Sequence, residues 1–181
     1  MAVATLHVLT ELGFAESGSS AAADRTVTAL ELDHGQAMFG FICRQGLSPA
    51  EAQDAVQEAL LRLLRELRAG KQIDNPRAWA YRALYRLAMD QHRIRRRLSL
   101  IVGRLGPDTS QSSPTTDRVA VWSAVDELPP RQRQVLYLRY RSDLSFDEIA
   151  RVLGITGSAA RSHATQAMAM LRQRLAREDF E

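Results

Sequence analysis

From about residue 28 onward, apolar side chains recur at helical spacing, and nowhere do they alternate with period two over a useful length. The expected fold class is therefore all-α: two small helical domains joined by a flexible linker, the second ending in a helix-turn-helix. Over residues 28–44, the core side would be Leu30, Leu32, Ala37, Met38, Phe41 and Ile42, with Gly46 as the breaker. Ser48 and Pro49 then start a long helix, serine as cap and proline at the first helical position, where its missing N–H is no loss. Its apolar stripe is Val56, Leu60, Leu63 and Leu67. A turn-rich loop, 68–75, leads to Pro76 and a third helix over 76–97, burying Ala80, Ala83, Leu84, Leu87 and Ile94.

Glycine, two prolines and a serine/threonine cluster mark residues 99–116 as a linker and domain boundary. Beyond it, 117–128 forms a helix with Val121, Trp122, Val125 and Leu128 on one side. Pro129-Pro130 interrupts the chain, and 131–140 resumes it with Val135, Leu136 and Leu138 inward. Residues 144–175 read as two helices around a tight turn. Ser145 and Glu148 have capping-box spacing, Ile149, Ala150 and Leu153 form an apolar face, and Gly154 stops the helix. Thr156 caps the next one, whose Ala160, Ala164, Ala167, Leu171 and Leu175 face inward. The N-terminal residues, 1–27, read as a tail of undetermined role. Leu6, Val8, Leu9, Leu12 and Phe14 could make a short amphipathic helix, and GSSAAAD reads as a flexible connector.

Charge sharpens this outline. The net charge is only +3, but the basic residues are almost all arginine, Lys71 being the single lysine. Arginine suits bidentate phosphate and base-edge contacts. In the second helix, Glu51, Asp54 and Glu58 lie opposite the apolar stripe; Glu58 has Arg62 at i+4, and the carboxylate row is also a docking surface for a basic partner. In the third, Arg82, Arg86, Arg93 and Arg97, joined by Arg96, share one face. Such a stripe repels itself unless an anion lies along it, which favours nucleic acid. Trp79, Tyr81 and Tyr85 lie near it; such aromatics can stack on unpaired bases, while each taken singly is more often core or boundary packing. In the last long helix, Ser158, Ser162, Thr165 and Gln166, flanked by Arg161 and Arg172, form a small polar and basic outer face suited to a DNA groove. Cys43 stands alone, so an internal disulfide and a cysteine-built zinc site are excluded. There is no metal-ligand cluster, phosphate loop or nucleophile elbow, so neither an enzyme nor a cofactor is expected. No signal peptide or membrane-spanning run is seen, which fits a cytoplasmic chain without membrane insertion.

The order of DAVQEALLRLL, NPRAWAYRALYRLAMDQHRIRRR, a polar linker, ELPPRQRQVLYLRY and SFDEIARVLGITGSAARSHATQAMAMLR resembles a bacterial sigma factor of the ECF (extracytoplasmic function) group over about residues 28–176. The resemblance implies a region 2 domain at 28–98 and a region 4 domain at 117–181. It places Glu51, Asp54, Gln57 and Glu58 on the clamp helices of core RNA polymerase. Trp79, Arg82, Arg86, Arg93, Arg96 and Arg97 would meet promoter DNA at the −10 element. Ser158, Arg161, Ser162, His163, Thr165 and Gln166 would read the −35 element, with the same domain seated on the β flap. An anti-sigma partner is also implied. The chain departs from the family pattern at Gln53, Leu60, Arg86, Ala159, Ala160, His163 and Gln166; the last helix is therefore less basic than usual, which lowers nonspecific DNA affinity and flattens its salt dependence. The rival reading is a stand-alone helix-turn-helix regulator. It needs a dimer interface for paired half-sites and leaves the acidic helix without a role.

Overall fold

A computed structural model describes residues 18–102 and 120–178. Among these residues every regular element is helical. The N-terminal lobe comprises α1 (Gly18–Cys43), α2 (Pro49–Arg68) and α3 (Pro76–Val102). The C-terminal lobe comprises α4 (Ala120–Asp126), α5 (Pro130–Leu136), a π-helical turn over Tyr137–Arg141, α6 (Phe146–Leu153) and α7 (Gly157–Glu178).

α1 begins ten residues before the position expected from the apolar pattern. The GSSAAAD segment, expected as a connector, supplies its first turns. Alanine is the strongest helix former, and the segment has tertiary partners: Ala23 and Val27 are buried, and Asp24 accepts from Arg68 at 2.6 Å. The possible helix around Leu6–Phe14 lies outside the described residues. Leu32, expected in the core, is 80% exposed. Two residues past buried Leu30, it falls on the opposite side of the helix.

Ser48 caps α2 with a complete capping box. Its hydroxyl accepts from the Glu51 N–H, and the Glu51 carboxylate accepts from the Ser48 N–H at 2.8 Å. α2 buries Ala52, Ala55, Ala59, Leu60, Leu63 and Leu64, while Val56 and Leu67 sit at the core's edge. α3 buries Ala80, Tyr81, Leu84 and Ala88. It continues to Val102, so the first four residues of the expected linker are helical; 103–116 lie outside the described residues. Ile94, expected inside, is half exposed. Arg95 already reaches Glu51 in the first turn of α2, so the last turns of α3 run past that neighbour.

In the C-terminal lobe, Ser145 and Glu148 form the expected capping box, and Gly154 ends α6 in the left-handed conformation at φ 67°. Thr156 accepts from the Ala159 N–H at 3.1 Å and caps α7. Ala160, Ala164, Ala167 and Leu171 are buried as expected; the side chain of Leu175 lies outside the description.

The two lobes share one core. Residues 134–138 (Gln134, Val135, Leu136, Tyr137 and Leu138) are all buried. A helical segment with no exposed side must be enclosed all round, and here the lobes enclose it jointly. The Gln134 amide donates to Gln45 at 2.6 Å, and both residues are buried. The Tyr137 hydroxyl donates to the Ala37 carbonyl at 2.9 Å. Tyr137 also meets Phe41, with ring centroids 5.9 Å apart. Arg44 pairs with Asp126 at 2.8 Å and lies over the Tyr137 ring. α6 packs across the start of α3, where Asn75 donates to Glu148 and Arg77 donates to the Asp143 carbonyl at 2.8 Å.

A β-carbon at Gly154 meets no neighbour within 4 Å, so the change Gly154→Ala tests backbone conformation alone. It should lower stability by about 1 kcal/mol, the strain of a left-handed non-glycine residue. The urea midpoint measures this, and an unchanged midpoint would contradict the assignment of the turn.

Candidate polymerase and promoter interfaces

Three outward faces gather the residues singled out in the sequence. The first lies on α2. Asp54 and Gln57 are exposed, and Asp54 makes no ion pair among the described residues. Glu58 forms the i,i+4 pair with Arg62 at 2.6 Å, which draws its carboxyl below the usual range. Glu51 is committed differently. Arg95 reaches across from α3 and binds it at 2.5 Å, and Ser48 donates to it from both backbone and hydroxyl. Arg95 first, then Ser48, holds the Glu51 carboxyl at about 2, against an ordinary 4.5. Glu51 therefore joins α2 to α3 and is the member of the acidic row least available to an outside partner.

The second face lies on α3. Arg82, Arg86, Arg93, Arg96 and Arg97 are all exposed. Arg93 pairs with Asp90 at 2.9 Å; the other four have no carboxylate partner among the described residues. Trp79 is half-buried in a surface pocket of about 460 Å³ lined also by Arg62, Arg65, Glu66, Ala69, Ala83 and Arg86. The positive surface thus extends onto α2 through Arg62 and Arg65, which the sequence reading did not include. The signal was their spacing of three, which places both on the side of α2 that meets Trp79. Tyr81 is not on this face. Tyr81 is fully buried, edge-on to Phe41 at 5.5 Å, and burial pushes its hydroxyl's pKa well up. Tyr85 accepts from Arg131 of α5 at 2.8 Å. Tyr81 therefore belongs to the core, and Tyr85, partly exposed, is engaged by the C-terminal lobe.

The third face lies on α7. Ser158, Arg161, Ser162, Thr165 and Gln166 are exposed along one side. Arg161 has Asp147 of α6 at 3.8 Å, and Gln166 receives a long 3.4 Å bond from Gln132. His163 does not share this exposure: it is half-buried, and its Nδ1 is enclosed without a hydrogen-bond partner. Ala160 points into the core, so that departure from the family pattern does not touch the outer face.

The structure is thus an all-α, two-lobed protein with an acidic face, an arginine face and a helix-turn-helix. The family described as Sigma-70 region 2 matches residues 32–98, and Sigma-70, region 4 matches residues 118–171. The RNA polymerase sigma factor SigV of Bacillus subtilis is 25% identical over 82% of this chain and 90% of its own length. The ECF RNA polymerase sigma factor SigL of Mycobacterium tuberculosis is 28% identical over 86% and 92%. Among solved structures, CnrH in complex with the cytosolic domain of CnrY aligns at 25% identity and a TM-score of 0.58, over 87% of this chain and 94% of that one. The sigma factor RpoE of Bartonella quintana, in complex with the anti-sigma factor NepR, shares the fold at 21% identity and a TM-score of 0.62, over 82% and 96%. The chain belongs to the sigma-70 family, in its ECF group. It is an RNA polymerase sigma factor that binds core polymerase and directs promoter recognition and transcription initiation. Sigma factors are non-catalytic initiation factors. No helix among the described residues is long and apolar enough to cross a membrane.

The Glu51 contacts carry a pH signature. Because its carboxyl is depressed in the fold, its stabilisation is complete above the ordinary 4.5 and is lost as pH falls toward about 2. Glu51→Gln should therefore unfold at a lower temperature than the parent at pH 7, with the gap closing as pH drops through that window. Thermal melts at stepped pH measure it; a gap independent of pH would contradict the pairing.

Proposed function

We propose that the three faces divide the work of promoter recognition. Asp54, Gln57 and Glu58, with Glu51 as the scaffold beneath them, dock on the clamp helices of core polymerase. Trp79, Arg82, Arg86, Arg93, Arg96 and Arg97 engage the −10 element. Ser158, Arg161, Ser162, Thr165 and Gln166 read the −35 element from the major groove, with His163 at the margin of that contact, and the rest of this lobe seats on the β flap. The lobes at 28–98 and 117–181 act as the two functional domains, and the chain works in the cytoplasm without chemistry of its own.

The observation that carries this reading is an exposed carboxylate on α2 and an exposed arginine stripe on α3 that neighbouring charges leave largely unpaired among the described residues. Asp54 stands on α2 without a counter-ion among the described residues, while four unpaired arginines share one side of α3. Like charges held together on a solvated surface are stabilised by an oppositely charged partner. Polymerase on one side and DNA on the other supply those partners. A free-standing regulator would leave the α2 face unused. An anti-sigma protein is a further partner, supported by the companions of CnrH and RpoE in their solved complexes. Competition between such a protein and core polymerase for this chain is its test.

The paired change Asp54→Lys and Glu58→Lys should abolish binding to core polymerase while leaving helix content unchanged. Pull-down with purified core measures it, and undiminished binding would refute the docking face. Arg161→Ala should weaken −35 recognition by about 1–3 kcal/mol if its guanidinium contacts a base edge. Footprinting of the polymerase complex checks this, and unaltered −35 protection would remove Arg161 from the reading face.

A further inference from the structure

Near the end of α3 an arginine run meets a serine. Arg95, Arg96 and Arg97 stand four, three and two positions before Ser99, and Leu98 and Leu100 flank it. Ser99 is the one serine or threonine of the 181-residue chain with arginine both two and three positions before it. Arginines there, with an apolar residue after the serine, suit an arginine-directed serine kinase, whose acidic cleft takes the guanidinia in paired hydrogen bonds. Ser142 also follows two arginines, Arg139 and Arg141, but it is fully buried. Ser99 is partly exposed, and its hydroxyl donates to the Arg96 carbonyl at 2.9 Å, a local bond within its own helix. The helix is lightly held here. Arg95 donates to Glu51 and to the Gly46 carbonyl. Beyond it, Arg96, Arg97, Leu98 and Leu100 are exposed, Leu100 to 77%. Ser99 lies in the last turn of α3, which ends at Val102 and whose final carbonyls lack an intrahelical partner. A helix end that buries so little opens at small cost, which lets the segment enter a kinase cleft in extended form.

We propose that Ser99 is a phosphorylation site, modified by an arginine-directed serine kinase with ATP as donor, and that the phosphate weakens promoter binding through the arginine face. The step is a phosphoryl transfer. The Ser99 Oγ bonds to the γ-phosphorus of ATP, the bond from that phosphorus to the β,γ-bridging oxygen breaks, and ADP leaves. The hydroxyl proton passes to the base of the kinase. The product carries a charge of about −1.5 to −2 at pH 7 and three acceptor oxygens. Arg96 at i−3 and Arg95 at i−4 share the Ser99 side of the helix. Arg95 is already held by Glu51, whereas Arg96 and Arg97 have no carboxylate partner among the described residues. The phosphate therefore draws on Arg96, and its remaining charge offsets Arg97. Both arginines belong to the face assigned above to the −10 element, so the effect on DNA rests on that reading. The docking residues Asp54 and Glu58 lie on α2 and take no part.

The test incubates the full-length chain with Mg·ATP and, as probe, the catalytic subunit of cyclic-AMP-dependent protein kinase. The intact mass should rise by one phosphate, mapped to Ser99 by tandem mass spectrometry, and Ser99→Ala should gain none. No incorporation into the wild type, or equal incorporation into Ser99→Ala, overturns the site. Core polymerase carrying the phosphorylated chain should bind a promoter fragment about tenfold more weakly at about 0.1 M salt, with the slope of log affinity against log salt flattened by about 1. Affinity for core polymerase itself should not change. Undiminished promoter affinity after phosphorylation overturns the regulatory role. The double change Arg96→Ala and Arg97→Ala reads the −10 assignment separately and should weaken promoter binding to a similar degree. If it does so and the phosphate does not, the switch alone fails; if it has no effect, the −10 reading fails and the switch with it.

Discussion

Everything in this molecule turns on a helical segment that has no outside. Residues 134–138 are enclosed on every side, partly by their own lobe and partly by α1 and α3. Burying an amide without a partner is expensive, and Gln134 avoids this by bonding to Gln45, itself buried in the opposite lobe. Tyr137 does the same through the Ala37 carbonyl, fitting against Gly40. Removing either partner leaves a buried polar group unsatisfied, so the two lobes are coupled by hydrogen-bond satisfaction as well as by apolar contact. The π-helical turn that begins at Tyr137 belongs to the same arrangement, with the Ser142 N–H reaching back five residues to the Tyr137 carbonyl. Such wide turns often occur where a helix serves a functional contact.

Because the joint takes up the polar and aromatic side of α3, the candidate faces are left outside it. The arginine stripe, the α2 carboxylates and the outer side of α7 all point away from it. Charge is managed locally as well. Arg95 is drawn inward to hold Glu51 and the Gly46 carbonyl, fixing α3 against the start of α2, whereas Arg82, Arg86, Arg96 and Arg97 are left for a partner. Within one run of arginines, the helical phase of each residue decides whether it is drawn into the fold or stays exposed.

Local rules made much of this legible before the fold was known. The capping boxes at Ser48 and Ser145, the left-handed Gly154 and the inward alanines of α7 each follow from a few neighbouring residues. What failed was set by distant neighbours. The start of α1 was invisible because Ala23 and Val27 gain their value only by packing on α2, and Leu32 looked apolar enough for a core it turns away from. Ile94 has the right phase, but α3 there outruns the helix that would cover it. Whether Tyr81 and Tyr85 pack or stay open to bases was not decided by the sequence, because the chain does not announce that a second lobe will meet them. That Arg62 and Arg65 lie beside Trp79 was not legible because Trp79 comes from another helix. The five-residue buried run was the one long-range signal present in plain view: QVLYL has too little polar character for a surface helix.

The most direct measurement is run-off transcription by purified core polymerase from a library of promoter fragments randomised across both element positions. Transcripts should depend on this chain and should enrich two separate sequence blocks about 25 base pairs apart, the upstream one read by α7 and the downstream one by α3. Transcripts that do not depend on the chain, or enrichment of symmetric half-sites bound without transcription, would contradict a sigma factor reading two elements and support a free-standing DNA-binding regulator.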